Sequence, residues 1–245
     1  MCSDGELFRN LGQTGLLYEV IVNEIEQLVV SGQLKAGDPL PPERELGLRF
    51  GVSRTAVREA IKVLSQKQLV TVRRGRGAIV AHPSPQTVSA SLGLLLKVRR
   101  ASPAQLTEVR RSIEPEMAAL AAEKATPEQI RELEALAIAY RDSVGNPSKA
   151  VPLDLAFHKC VSESAHNEVA SAIIDSVEQL FLQSMIHHSR VEGAMEKSAL
   201  SHHQVYSAIS ERDPEAARHY MRRHLDNVWR YQQSLLDDPA QPILI

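Results

Sequence analysis

One short stretch restricts what the N-terminal third of this chain can become. "VSRTAVREAIKVL", Val52 to Leu64, opens with a hydroxyl residue suited to a helix N-cap and continues as an amphipathic helix. Val57, Ala60, Ile61 and Leu64 fall on its inward face, and Ser53, Arg54, Thr55 and Arg58 are left at its polar front. Within ten residues the chain reaches "LVTVRRGRGAIV", two short β-prone runs around a turn holding Gly75 and Gly77. Upstream, Leu17, Val20, Ile21, Ile25, Leu28 and Val29 recur at helical spacing before Gly32, and Pro41 and Pro42 lead into "ERELGLRF", which Gly51 can stop. Three short helices and a hairpin, in that order, predict a winged helix-turn-helix.

Charge says what such a unit would touch. Between Leu40 and Val80 there are nine basic residues and three acidic ones, a balance of +6, whereas the whole chain of 245 residues carries −2. A basic segment joined to a mildly acidic body indicates one part that meets a polyanion and another that does not. A helix front with free N–H groups and cations fits the major groove of duplex DNA. Arg54 and Arg58 could each make a bidentate pair with guanine, worth about 1–3 kcal/mol of discrimination. Arg44, Arg74 and Arg76 suit phosphates, and glycine at 75 and 77 lets the wing backbone come close.

"HPSPQ", His82 to Gln86, interrupts regular structure with two prolines. Everything after it reads as helix. The expected organisation is therefore mainly α: a winged helix-turn-helix over residues 10–81, a linker with a connecting helix over 82–101, and an all-α antiparallel bundle over 102–238. Ser102 with Pro103, and Thr126 with Pro127, open helices; others are expected over Leu153–Ser164, Val169–Met185 and Met195–Ser210, with a last one from Pro214 to about Leu236. Only 4% of residues are aromatic, so the bundle must pack on aliphatic seams. No apolar run is long enough to cross a bilayer, the start "MCSDGELFRN" does not read as a signal peptide, and Cys2 and Cys160 are the only cysteines. A reducing cytoplasm and no membrane partner are expected.

Four polar residues lie on apolar stripes of the predicted bundle. Asp154 and His158 are four apart on the face of Val151, Val161 and Ala165. His202, rather than His203, follows Ala199, Val205, Tyr206 and Ile209, and His224 accompanies Met221, Leu225 and Val228. One Asp and three His turned inward make a candidate divalent-metal site, with zinc the first choice and nickel, manganese or iron also compatible. Each residue taken alone can equally be a core group with a satisfied hydrogen bond. Arg110, in line with Leu106, Ile113 and Met117, is a further inward charge that needs an acidic partner, either internal or brought by a ligand; Arg111 points toward Thr107 and Glu114. His166, His187, His188 and His219 are set aside, with His187 and His188 expected to border a loop.

"PPERELG", "VSRTAVREAIKVL" and "RRGRGAIV" together resemble the DNA-binding domain of GntR-family transcriptional regulators. The resemblance places DNA contacts on Arg44, Ser53, Arg54, Thr55, Arg58 and Gly75, and gives Ala56 none. "LTEVRRSIEPEMAALAAEKA", "DLAFHKCVSESAHN" and "HHQVYSAISERDPEAARHYMRRHL" resemble the helical ligand-binding domain of the FadR subfamily, called FCD. That likeness implies metal ligands at Asp154, His158, His202 and His224, and an organic-acid effector, held here between the metal and Arg110. Ser201 departs from the Glu that many members carry. The implied protein is a homodimeric regulator reading an inverted repeat, a repressor released by a small carboxylate or hydroxy-acid. A metal-dependent hydrolase and a purely structural metal site are the competing readings.

Overall fold

A computed structural model describes residues 17–73, 75, 77–81, 85–189 and 191–236. They form two compact units, one ending at Ser84 and one beginning at Pro85.

The first unit contains α1 (Leu17–Val30), α2 (Glu43–Phe50), α3 (Arg54–Gln66), β1 (Val70–Arg73) and β2 (Gly77–Val80). Its core is mostly aliphatic with one phenylalanine, built from Ile21, Ile25, Leu46, Phe50, Val57, Ala60 and Leu64, all wholly buried. The turn between α2 and α3 depends on two glycines. Gly51 takes the left-handed conformation at φ 68° and closes α2. A side chain at Gly47 would meet the Val52 carbonyl at 3.1 Å, so glycine lets that turn fold back tightly. The antiparallel hairpin pairs Val70 with Val80 and Arg73 with Gly77. A bridge from Pro39 to Ile79 extends it, and the Leu40 N–H donates to the Ala78 carbonyl at 2.8 Å. A single-residue bridge carries no hydropathic period, so sequence patterning does not announce it.

The second unit is helical: α4 (Pro85–Val98), α5 (Pro103–Lys124), α6 (Pro127–Arg141), α7 (Pro147–Ser164), α8 (Glu168–Ser189), α9 (Ala194–Ser210) and α10 (Pro214–Leu236). Helix α4 falls where a connecting segment is expected, but its Leu92 and Leu96 pack with Val177 and Phe181 of α8, so it is part of this unit. Capping boxes start α5 at Ser102 and α6 at Thr126, each closed by a Gln three residues on. Helix α7 begins six residues before the expected start, because Pro147 serves as its first residue and Pro152 is accommodated inside it. Helix α8 runs on to Ser189, so His188 lies in its last turn, at the border of the connection to α9. Helix α5 packs against α7, α9 and α10, and its buried face includes Leu106, Arg110, Glu114, Met117, Ala118 and Ala121.

Candidate nucleic-acid interface and metal centre

The front of α3 is built as expected from its cap. The Ser53 hydroxyl accepts the Ala56 N–H at 3.2 Å, which leaves the N–H groups of Arg54 and Thr55 at the outward helix end. Arg44, Arg54, Thr55 and Arg58 are all exposed. Gly75 is exposed in the wing turn at φ 80°, a conformation open to glycine at little cost. Arg74 and Arg76 lie outside the described residues. The residue that sequence reasoning missed here is Glu43, at the start of α2. Its carboxylate accepts from Arg58 Nη2 at 3.0 Å and from Nε at 3.4 Å. The partners are fifteen residues apart on different helices, a separation that no helical period connects.

The polar cluster of the helical unit gathers the four residues picked out on its stripes. Asp154 and His158 come from α7, His202 from α9 and His224 from α10, and one ligand atom from each lies within 4.8 Å of the others. Nε2 of His158 and of His224 are 3.2 Å apart. His202 Nε2 is 3.1 Å from Asp154 Oδ1, which is 3.5 Å from His158 Nε2. Yet His202 Nε2 and Asp154 Oδ1 make no hydrogen bond of proper geometry. Their donor and acceptor directions do not meet. The His158–His224 pair is within hydrogen-bond geometry, but His202 Nε2 and Asp154 Oδ1 crowd it unbonded, which fits a shared cation: metal–ligand bonds of about 2.0–2.1 Å put neighbouring ligand atoms about 3–3.4 Å apart. The donor set of imidazoles and one carboxylate suits a divalent transition metal.

Electrostatics prepares these groups as ligands. Burial drives the His224 imidazole well below its ordinary pKa, assisted by the neighbouring His202 and His158, and burial lowers His202 as well, so both rings are neutral near pH 7. Burial alone would raise the Asp154 carboxyl, but contacts with His158 and His202 outweigh it and hold the group well below the usual carboxylate range. His202 is wedged in place, stacked on Phe157 at 4.3 Å and edge-on to Tyr140 at 4.7 Å.

Behind His158 stands a residue that the stripe argument assigned to the wrong neighbour. Glu114 is three residues from Arg111 but does not pair with it. It is buried one turn beyond Arg110 and pairs with it, Arg110 Nε donating at 2.5 Å and Nη2 at 3.3 Å. Glu114 Oε2 also lies 2.6 Å from His158 Nδ1, a charge contact without hydrogen-bond geometry. Burial by itself would raise the Glu114 pKa, but Arg110 and His158 together bring it down to about 2. Burial pulls the His158 pKa down, but Glu114 and Asp154 together outweigh it and leave the group raised. An anion against Nδ1 orients the ring and leaves Nε2 toward the cluster, the arrangement in which a carboxylate supports a metal-ligating imidazole. Arg110 thus has an internal partner, while its guanidinium also lies over the Phe181 ring at 4.9 Å. Arg111 instead joins Asp226 at 2.6 Å and covers Trp229.

A cavity of about 330 Å³ opens between α8, α9 and α10 and reaches His224. Its other walls include His188, Lys197, Ser198 and Arg230. Among the described residues no helix is long and apolar enough to cross a membrane.

Comparisons with known proteins agree with both halves. Residues 17–80 match the family described as bacterial regulatory proteins, gntR family, and residues 105–227 match the FCD domain. The transcriptional repressor NanR of Cronobacter sakazakii is 30% identical over 242 residues, which cover 93% of this chain and 91% of that protein. The transcriptional regulator LutR of Bacillus subtilis is 28% identical, covering 82% and 94% of the two chains. A solved structure of a Streptococcus agalactiae GntR protein superposes with a TM-score of 0.73 at 27% identity, over 87% of this chain and 99% of that one. With a winged helix-turn-helix, a helical FCD unit holding an Asp/His cluster suited to a metal ion, and regulators as its relatives, the chain belongs to the GntR family: it is a ligand-responsive, DNA-binding transcriptional regulator and not an enzyme.

Proposed function

We propose that this regulator is a cytoplasmic homodimeric repressor, released from an inverted-repeat operator when a small carboxylate or hydroxy-acid binds beside a zinc ion held by Asp154, His158, His202 and His224. The single observation that carries the sensor half is the convergence of those four ligand atoms within 4.8 Å in a buried pocket that a cavity reaches. Repression is supported by the NanR relatives, which are transcriptional repressors. A second copy of the chain is supported by exposed apolar side chains, Leu94 and Val98 on α4 and Val169 and Ile173 on α8.

In the DNA half, Arg54 and Arg58 read base edges, Ser53 and Thr55 meet the backbone at the helix front, and Arg44, Arg74 and the Gly75 wing hold phosphates. These roles separate experimentally. Arg54→Ala should lower operator affinity by about 1–3 kcal/mol and relax preference at one base pair, whereas Arg44→Ala should weaken operator and unrelated duplex equally and flatten the salt dependence. Equal losses on both duplexes for Arg54→Ala would remove it from base reading.

In the sensor half, Glu114 engages Nε and Nη2 of Arg110, so the proposed grip on an effector carboxylate uses the remaining edge of the guanidinium. An effector can displace DNA only through unequal affinity for two states, and the coupling is reciprocal. Calorimetry of the acid with and without bound operator should give affinities differing by the same factor by which the acid weakens DNA binding. Identical affinities would contradict the mechanism and favour a purely structural metal.

A further inference from the structure

Beside the cations that meet DNA stands an anion that a polyanionic partner should disfavour. Glu43 opens α2, and its carboxylate accepts from Arg58 of α3, from Nε at 3.4 Å and from Nη2 at 3.0 Å. Both side chains reach water, Arg58 at 66% and Glu43 at 31% exposure. An ion pair so exposed contributes little to folding stability. A carboxylate next to Arg44 also weakens attraction for phosphates. A negative charge in the first turn of α2 does suit the helix dipole, but Glu45 supplies the same charge and pairs within its own helix, with Arg49. Glu43 is the acid of that turn that reaches across to the reading helix.

The geometry of the pair decides which edge of Arg58 is offered outward. A guanidinium carries its N–H donors in one plane, in a fixed fork. Glu43 takes the side-on edge, formed by Nε and Nη2. The end-on edge remains: Nη1 together with the second N–H of Nη2. Two donors side by side complement the O6 and N7 acceptors of guanine, whereas adenine puts a donor, N6, in place of one acceptor. An exposed arginine also gives up rotamer freedom when it is immobilised against a partner. Held from the side, Arg58 has less to give up and one edge to present. We infer that Glu43 is a specificity-determining positioning residue: it grips Arg58 side-on, so that the end-on edge of the guanidinium reads a guanine. This rests on the base-reading role proposed for Arg58.

The test measures binding of the full-length chain to a duplex that the wild-type protein selects from a randomised pool, to the single-base variants of that duplex, and to one unrelated duplex. Arg58→Ala marks the base pair that Arg58 reads, as the position where preference disappears, and Arg54→Ala marks another. Glu43→Gln keeps the shape and removes the charge. It should cut the preference at the Arg58 position about three- to tenfold. Preference at the Arg54 position should stay within about twofold, and the unrelated duplex should bind as tightly as before or more tightly. In an Arg58→Ala background, Glu43→Gln should cost no further preference. Unchanged preference at the Arg58 position, an equal loss on every duplex, or a further loss in the Arg58→Ala background overturns the inference and leaves the reading role of Arg58 standing. If Arg58→Ala itself leaves every preference intact, that role fails, and the inference with it.

Discussion

Arg110→Met should destabilise the helical unit by about 3–5 kcal/mol, the cost of leaving a buried carboxylate without its partner. Both side chains are almost sealed from solvent, at 3% and 4% exposure, so water cannot replace the guanidinium. Denaturant unfolding followed by helical circular dichroism measures the loss. Removing both charges in Arg110→Met with Glu114→Leu should recover most of it, because a buried pair contributes far less than its broken half costs. The pH dependence has a definite sign. The folded Glu114 pKa of about 2 lies below its ordinary 4.5, so its contribution is fully present above pH 4.5 and is lost as pH falls through about 2. That loss amounts to about 3 kcal/mol between those limits, and the double variant should lack it. A single variant costing under about 1 kcal/mol would show that Glu114 is not held by Arg110.

Asp154→Asn should lower zinc affinity at least about 100-fold, since even outer partners of metal ligands contribute 10- to 100-fold. The substitution preserves shape and removes the one carboxylate among three imidazoles. Competition against a chromophoric chelator measures it. The same variant should abolish stabilisation by the metal: at about 100 times the dissociation constant, zinc should add about 2.7 kcal/mol, or about 5–10 °C in melting temperature for a unit of this size. An unchanged shift in Asp154→Asn would place the ion elsewhere.

Much of this site was legible because its signals are short-range. Asp154 and His158 fall four apart on one stripe, and the choice of His202 over His203 follows from helical phase alone. The caps at Ser53, Ser102 and Thr126 are equally local. What escaped was decided by phase on a helix buried on several sides, or by contacts between elements. Glu114 is four residues from Arg110 and three from Arg111, so spacing permits either partner; the bundle chooses Arg110 by burying both. His188 depends on where α8 ends, which the run from Val169 to Met185 does not mark. The Glu43–Arg58 pair spans two helices and becomes visible only when the turn at Gly51 brings their starts together.

Effector control of this regulator requires the Asp/His cluster to be a metal site that the effector reads. Adding zinc to metal-free full-length protein and recording X-ray absorption tests this most directly. One zinc per chain, with imidazole nitrogens and carboxylate oxygen at about 2.0–2.1 Å, is the expected result, together with a change in that shell when a carboxylic acid is added. No bound zinc, or a spectrum unchanged in Asp154→Asn with His202→Ala, would contradict it.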